Sequence, residues 1–167
     1  MAERPDVVEL LRQSWVAEAA GVGYFDALAK RFAERAGALT TFRLVEQTTR
    51  NLIEPVARLH GVEPIDQEAA ERGGARYADS QGDDWSSAVE AMRRDGPAGI
   101  AMFAQLAAAL PEEEAALGVA VVEHEHALLQ WFEREATGKR GDMAPVIKYL
   151  SRHGVRIDSI DAIAHDS

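Results

Sequence analysis

The sequence predicts an all-α fold: a four-helix bundle with one long crossover connection, followed by a short additional helix. Three observations carry this. Apolar residues recur at spacings of three and four through four long stretches, no stretch alternates apolar and polar residues as a half-buried strand does, and the connections run short, long, short. A chain of 167 residues is one domain by size and can bury about 70% of the surface its unfolded form exposes. We assign residues 1–154 to the bundle and 155–167 to an acidic tail.

Asp6 caps the first helix, in which Val7, Leu11, Trp15, Val22, Phe25, Ala29 and Phe32 form the apolar stripe until Gly37 interrupts it. The second helix spans residues 39–60 with Val45, Leu52, Val56 and Leu59 as its stripe, Pro55 as a bend and Gly61 as its stop. Residues 61–84 are rich in Gly, Pro and Asp and hold only a short helical patch, residues 66–72, stopped by Gly73 and Gly74; this is the crossover. The third helix starts at Asp84, carries Trp85, Val89, Met92, Ile100, Phe103, Leu106 and Leu110, and is interrupted or kinked at Asp95-Gly96-Pro97. Pro111 with Glu112, Glu113 and Glu114 starts the fourth helix, since proline fits a first turn and carboxylates complement the positive end of the helix dipole. That helix reaches Thr137, and Asp142 caps a fifth, shorter one that ends at His153-Gly154.

A hydrophobic fraction of 47% excludes a predominantly disordered chain, and a formal charge of −10 with no basic run excludes a phosphate-binding surface for nucleic acid. The absence of cysteine removes disulfides, thiolate metal sites and cysteine nucleophiles. The first ten residues lack the basic start and apolar stretch of a signal peptide, and no stretch has about 18 uncharged apolar residues, so a cytoplasmic protein without membrane contact is expected.

Polar residues on apolar faces mark the candidate site. At about 100° per residue, Glu18 lies within about 40° of Val22 and between Trp15 and Phe25, on the core face. Thr49 sits near the stripe of the second helix and Glu46 on its flank. Around a core direction set by Leu117, Val121 and Leu128, His124 lies about 40° off and Glu125 about 60°, whereas Glu123 and His126 lie about 140° to 160° away. With the first turn at Gly37, Glu18 and Glu46 stand about 15 Å apart along the axis.

Three segments, WVAEAAGVGYFDALAKRF around Glu18, LVEQTTRNLIEP around Glu46 and VEHEHALLQWFE around His124, give residues 6–136 a resemblance to the ferritin-like superfamily, in particular its rubrerythrin-like members. The resemblance implies a dinuclear iron or manganese site built from one Glu on each of two helices and a Glu-x-x-His on each of the others. It assigns Glu18, Glu46, Glu123 and His126 as metal ligands, with Thr49 where the second helix would carry its histidine. The glutamate of the third helix has no match, because Glu90 projects away from the Trp85, Val89 and Met92 seam. The implied activity is metal-dependent oxidase or oxygenase chemistry.

The residues leave several readings open. Glu18 and His124 form a buried structural pair, or they contribute to an incomplete metal site, or they are the polar floor of a pocket for a small apolar ligand. That pocket has Trp15, Phe25, Phe103 and Trp131 as walls and Glu18, Thr49 and His124 as polar groups. We expect a small-molecule-binding or protein-interaction protein with a degenerate metal site, and the metal-dependent enzyme as the alternative. Val119, Val122 and Leu129 make a second apolar face on the fourth helix, suited to a homodimer. His60 and His153 stand at helix C-termini, where an imidazolium complements the dipole.

Overall fold

The computed structural model describes residues 6–156; the N-terminal pentapeptide and residues 157–167, with His165 and most of the acidic tail, lie outside it. Among the described residues there are six α-helices and two single 3-10 turns, and no strand. No helix is long and apolar enough to cross a membrane.

Helix α1, Val7–Arg31, begins as expected: the Asp6 carboxylate accepts from the Val8 amide at 3.0 Å. It ends earlier than glycine placement suggested. Phe32 leaves helical geometry, with φ −115° and ψ 76°, and a 3-10 turn at Ala33–Arg35 leads into α2, Ala36–Leu59. The break is set by packing: the Phe32 ring meets Trp85 edge-on at 5.2 Å, with the Arg31 guanidinium 4.9 Å from its centre. Gly37 is therefore inside α2, where Thr41 donates to its carbonyl. The buried face of α2 is Leu39, Phe42, Val45, Glu46, Thr49, Ile53 and Ala57; Leu59, assigned to the stripe, is 78% exposed.

Helix α3, Gln67–Asp79, starts where the Asp66 carboxylate accepts from the Ala69 amide, and runs straight through Gly73-Gly74. Gly74 did not stop the helix because it serves packing. A Cβ there would strike the backbone carbonyl of Ala20, and one on Gly23 would strike that of Glu71. The two glycines let α3 lie backbone to backbone on α1, and that contact outweighs their poor intrinsic helix propensity, about 1 kcal/mol each. Of the break or kink expected at Asp95-Gly96-Pro97, the break is absent: α4, Trp85–Ala109, is capped by Asp84 and continues through Pro97. A 3-10 turn at Glu112–Glu114 precedes α5, Ala115–Ala136, and α6 is Ala144–Arg152, entered through the Asp142 carboxylate accepting from Ala144.

α1 packs on α2 and α3, α4 packs on α5, and α1–α4 and α2–α5 contacts join these groups; α6 lies on α5 and α2. The apolar interior divides in two. One cluster contains Phe25, Phe42, Leu128, Trp131, Phe132 and Tyr149, the other Leu11, Trp15, Ile53, Phe103, Leu106 and Val121. Between the clusters, α1, α2 and α5 carry buried polar residues: Glu18, Glu46 with Thr49, and His124. This layer is the site.

Glu135 fastens the far end of the first cluster. Its carboxylate accepts from Arg35 Nε at 3.0 Å, Trp85 Nε1 at 3.1 Å and the Gly141 amide at 2.8 Å, tying the α1–α2 turn, α4 and the α5–α6 connection together. Truncation strands three donors, so Glu135→Ala is expected to lower stability by about 3 kcal/mol in urea unfolding. A loss below about 1 kcal/mol would show that the three bonds are replaced by water without cost.

Candidate functional site

Four side chains from three helices converge in the polar layer. Glu18 on α1, Glu46 on α2 and His124 on α5 are 1%, 5% and 0% exposed, and Glu125, the next residue on α5, closes the group at the edge of a cavity. His124 Nε2 stands 3.0 Å from a Glu18 carboxylate oxygen and 3.6 Å from one of Glu125. One donor atom from each of these three residues lies within 4.8 Å of the others.

The contact between His124 and Glu18 is close but not aligned as a hydrogen bond: both His124 ring nitrogens are buried without a hydrogen-bond partner, and the Glu18 carboxyl has only the Glu46 carboxyl, a bond that needs a proton on one of the two. A buried charge in that condition is costly, by several kcal/mol if nothing compensates it. The consequences are visible in the acids. Burial pushes the Glu18 carboxyl well above the usual range, and the nearby Glu125 charge adds to it, while the Glu46 carboxyl and Arg50 oppose. Glu46 is raised well above the usual range by burial and by Glu18, with His124 opposing, and Glu125 is raised mainly by burial. The three carboxyls cannot all ionise cheaply in this space without a cation.

The sequence reading placed Glu18 and His124 in the core, and they are there. Glu46, assigned to a flank and about 15 Å from Glu18, is buried beside it. With the turn at Ala33–Arg35 the two glutamates are nearly equidistant from it, which leaves about 5 Å of axial offset. Glu123 and His126, the ligands implied by the Glu-x-x-His spacing, do not join the group. Glu123 is bound by Arg152 Nη1 at 2.7 Å on the surface, and His126 is exposed. α5 is rotated so that His124 takes the inward position, as its angle from Val121 and Leu128 requires.

Thr49 faces the layer, but its hydroxyl is taken: it donates to the Val45 carbonyl at 3.0 Å and meets the Tyr149 hydroxyl at 2.7 Å. Tyr149, from α6, is fully buried 5.9 Å from the His124 ring, and burial raises its phenol. Sequence reasoning passed over this residue; the Val146, Tyr149, Leu150 pattern marks α6 as amphipathic but does not say what its tyrosine meets.

Beside the acids is a cavity of about 350 Å³. Ala17, Ala20, Phe25, Met92 and Leu128 wall it, Glu46 and Glu125 form its polar floor, and Tyr77, Gln81 and Asp95 stand along its lining. Its room comes from glycine. Gly21 faces the Glu46 carboxylate so closely that a Cβ would overlap it, and Gly99 faces Glu125 in the same way. Of the aromatic walls expected from sequence only Phe25 lines this space. Trp15 belongs to the second cluster, with Arg58 over its ring. Trp131 packs on Phe42 at 4.9 Å, and Phe103 meets His124 edge-on at 5.2 Å. Periodicity identified these rings as buried, and they are buried as core.

Two other histidines are explained without a site. His60 Nε2 meets both Glu114 oxygens, at 3.0 and 2.9 Å, which locks the end of α2 to the start of α5. His153 caps α6 and packs tilted against Tyr149, ring centres 4.6 Å apart, its imidazole shifted down by burial.

Comparison of the chain with protein-family models, with curated proteins and with solved structures finds no match.

Proposed function

We propose that this protein is a ferritin-like four-helix bundle in which Glu18, Glu46, His124 and Glu125 hold one divalent ion, iron or manganese, at the floor of a small-molecule cavity. The carrying observation is the grouping of buried donor atoms on Glu18 and His124 with Glu125, the Glu46 carboxyl lying against Glu18. The donor set fits the group. Hard carboxylate oxygens with one imidazole suit these ions, and donors on one ion at about 2.1 Å stand about 3 to 4 Å apart, close to the 3.0 and 3.6 Å found. The order of the long helices α1, α2, α4 and α5, with the α3 segment as the crossover, supports the ferritin-like assignment. By Glu-x-x-His spacing Thr49 replaces a second imidazole and Val121 a further carboxylate, and the glutamate of the third long helix has no match, so the site is read as mononuclear.

When bound, such an ion supplies Lewis acidity and one-electron chemistry toward dioxygen or peroxide. The chain's own residues divide the remaining work. Phe103 and Tyr149 hold the His124 ring and shield it from water; Thr49 fixes Tyr149; Arg50, 3.4 Å from Glu71, offsets part of the negative charge near Glu18. Phe25, Met92 and Leu128 exclude water from the approach to Glu46 and Glu125. A second reading, a metal-free small-molecule binder, is favoured by the Thr49–Tyr149 contact, which fills the place of the missing histidine.

Titration of metal-free protein with manganous ion, followed through the loss of the free-ion paramagnetic resonance signal, separates the two readings. The metal reading expects saturation near one equivalent per chain and loss of that binding in Glu46→Ala. Signal loss no greater than with buffer would leave the second reading.

A further inference from the structure

We infer that the cavity takes an elongated, mostly apolar amine, admitted between α3 and α4, with its hydrocarbon part on Phe25, Met92 and Leu128 and its ammonium end directed at Glu46 and Glu125. The inference rests on the reading of the cavity as a small-molecule site and adds the class of molecule. It follows from charge, shape and access taken together.

Among the described residues no Lys, Arg or His lines the cavity, and its charged lining groups are Glu46, Glu125 and Asp95. Asp95 is already engaged, by Arg94 at 2.8 and 3.0 Å and by the Tyr77 hydroxyl. Glu46 and Glu125 have no ion pair to Lys or Arg among the described residues, although Glu46 is 5% exposed. A ligand that buries them further must bring a positive charge or hydrogen-bond donors, because an apolar or anionic occupant would desolvate acids without a partner.

The remaining lining is mostly glycine and hydrocarbon, with Tyr24, Tyr77 and Gln81 as its uncharged polar side chains; Gly21 and Gly99 leave room against Glu46 and Glu125, and a volume of about 350 Å³ suits a molecule at the small end of what protein pockets hold. Access is set by the packing order. α3 is carried by α1 and α4 by α5, so the space between α3 and α4 is the seam between two helix pairs. The Tyr77–Asp95 hydrogen bond crosses that seam at the surface, where Tyr77 is 47% exposed. Arg94 Nη2 also donates to the Tyr77 hydroxyl at 3.5 Å, so opening the rim breaks two solvent-accessible hydrogen bonds, each worth about 1 kcal/mol.

The test compares three probes of one shape on the full-length protein by calorimetry, with manganous ion and again in chelator: phenethylammonium, phenethyl alcohol and hydrocinnamate. The expected order is ammonium tightest, by about tenfold or more over the alcohol, with hydrocinnamate weakest, and a ratio that collapses toward one in the E46Q/E125Q double variant. Equal binding of ammonium and alcohol to the unmodified protein, or no binding of either, overturns the inference with no variant required. Ammonium binding in chelator with no manganese uptake keeps the inference and removes the metal reading. Manganese uptake with no preference for the ammonium does the reverse.

Discussion

Glu18→Gln is expected to make the metal-free protein more stable and the metal complex about 100-fold weaker or worse. The first effect follows from the direction of the carboxyl shifts. An acid whose folded pKa lies above its unfolded one contributes fully at low pH, where both states hold the proton. That contribution is lost as pH rises from the usual carboxylate range, near 4 to 5, through the folded value, because the unfolded chain releases its proton first. In chelator, the protein should therefore lose stability as pH rises through the range bounded by those two values. Glutamine keeps the shape of Glu18 and has no proton to lose. The variant's thermal midpoint at pH 8 should exceed the parent's by about 3 °C or more, with a shallower pH slope. With manganese the order reverses, since the variant lacks a ligand. A variant less stable than the parent at every pH would mean that the Glu18 carboxyl is compensated in the metal-free fold, through its bond to the Glu46 carboxyl.

Gly74→Val is expected to cost about 3 kcal/mol or more, while its neighbour Gly73→Ala should gain about 0.5 to 1 kcal/mol. Both replacements remove a glycine from the middle of α3, so propensity favours both. Packing separates them. A side chain on Gly74 overlaps the Ala20 backbone, which cannot move without lifting α3 from α1, whereas the nearest atom to a Cβ on Gly73 is an Arg76 guanidinium nitrogen at 3.9 Å. Because α3 carries Tyr77 and Gly73 on the cavity lining, the valine variant should also lose the cavity's ligand affinity. Urea midpoints of the two variants decide this. A mild effect of valine would place the α1–α3 contact on a yielding surface rather than on rigid backbone.

Periodicity carried the long helices and the inward position of Glu18 and His124, because a buried face must repeat every three or four residues whatever the chain's neighbours are. It misjudged Glu46. Leu39, Phe42, Glu46, Thr49 and Ile53 follow the three-four spacing well, but the stripe drawn through Val45, Leu52, Val56 and Leu59 starts on a buried residue and ends on one in solvent. The height of Glu46 against Glu18 was wrong for a separate reason: the turn is set by Phe32 packing on Trp85, a contact about 50 residues apart that no local pattern reveals. The length of α3 was hidden by the same kind of cause, since Gly73-Gly74 reads as a stop until Ala20 is seen against it. The Glu123–His126 spacing was a true local pattern on the wrong face, decided by which side of α5 meets α2 and α4. Tyr149 and the glycine-lined cavity depend wholly on tertiary contact.

The most direct measurement is metal content per chain on protein purified without an affinity tag and without added metal. The account predicts close to one equivalent of iron or manganese, absent from Glu18→Ala purified in parallel. Protein free of both metals, and still free of them after anaerobic incubation with ferrous ion, would contradict it and leave the Glu18–His124 layer as a polar floor for an organic ligand.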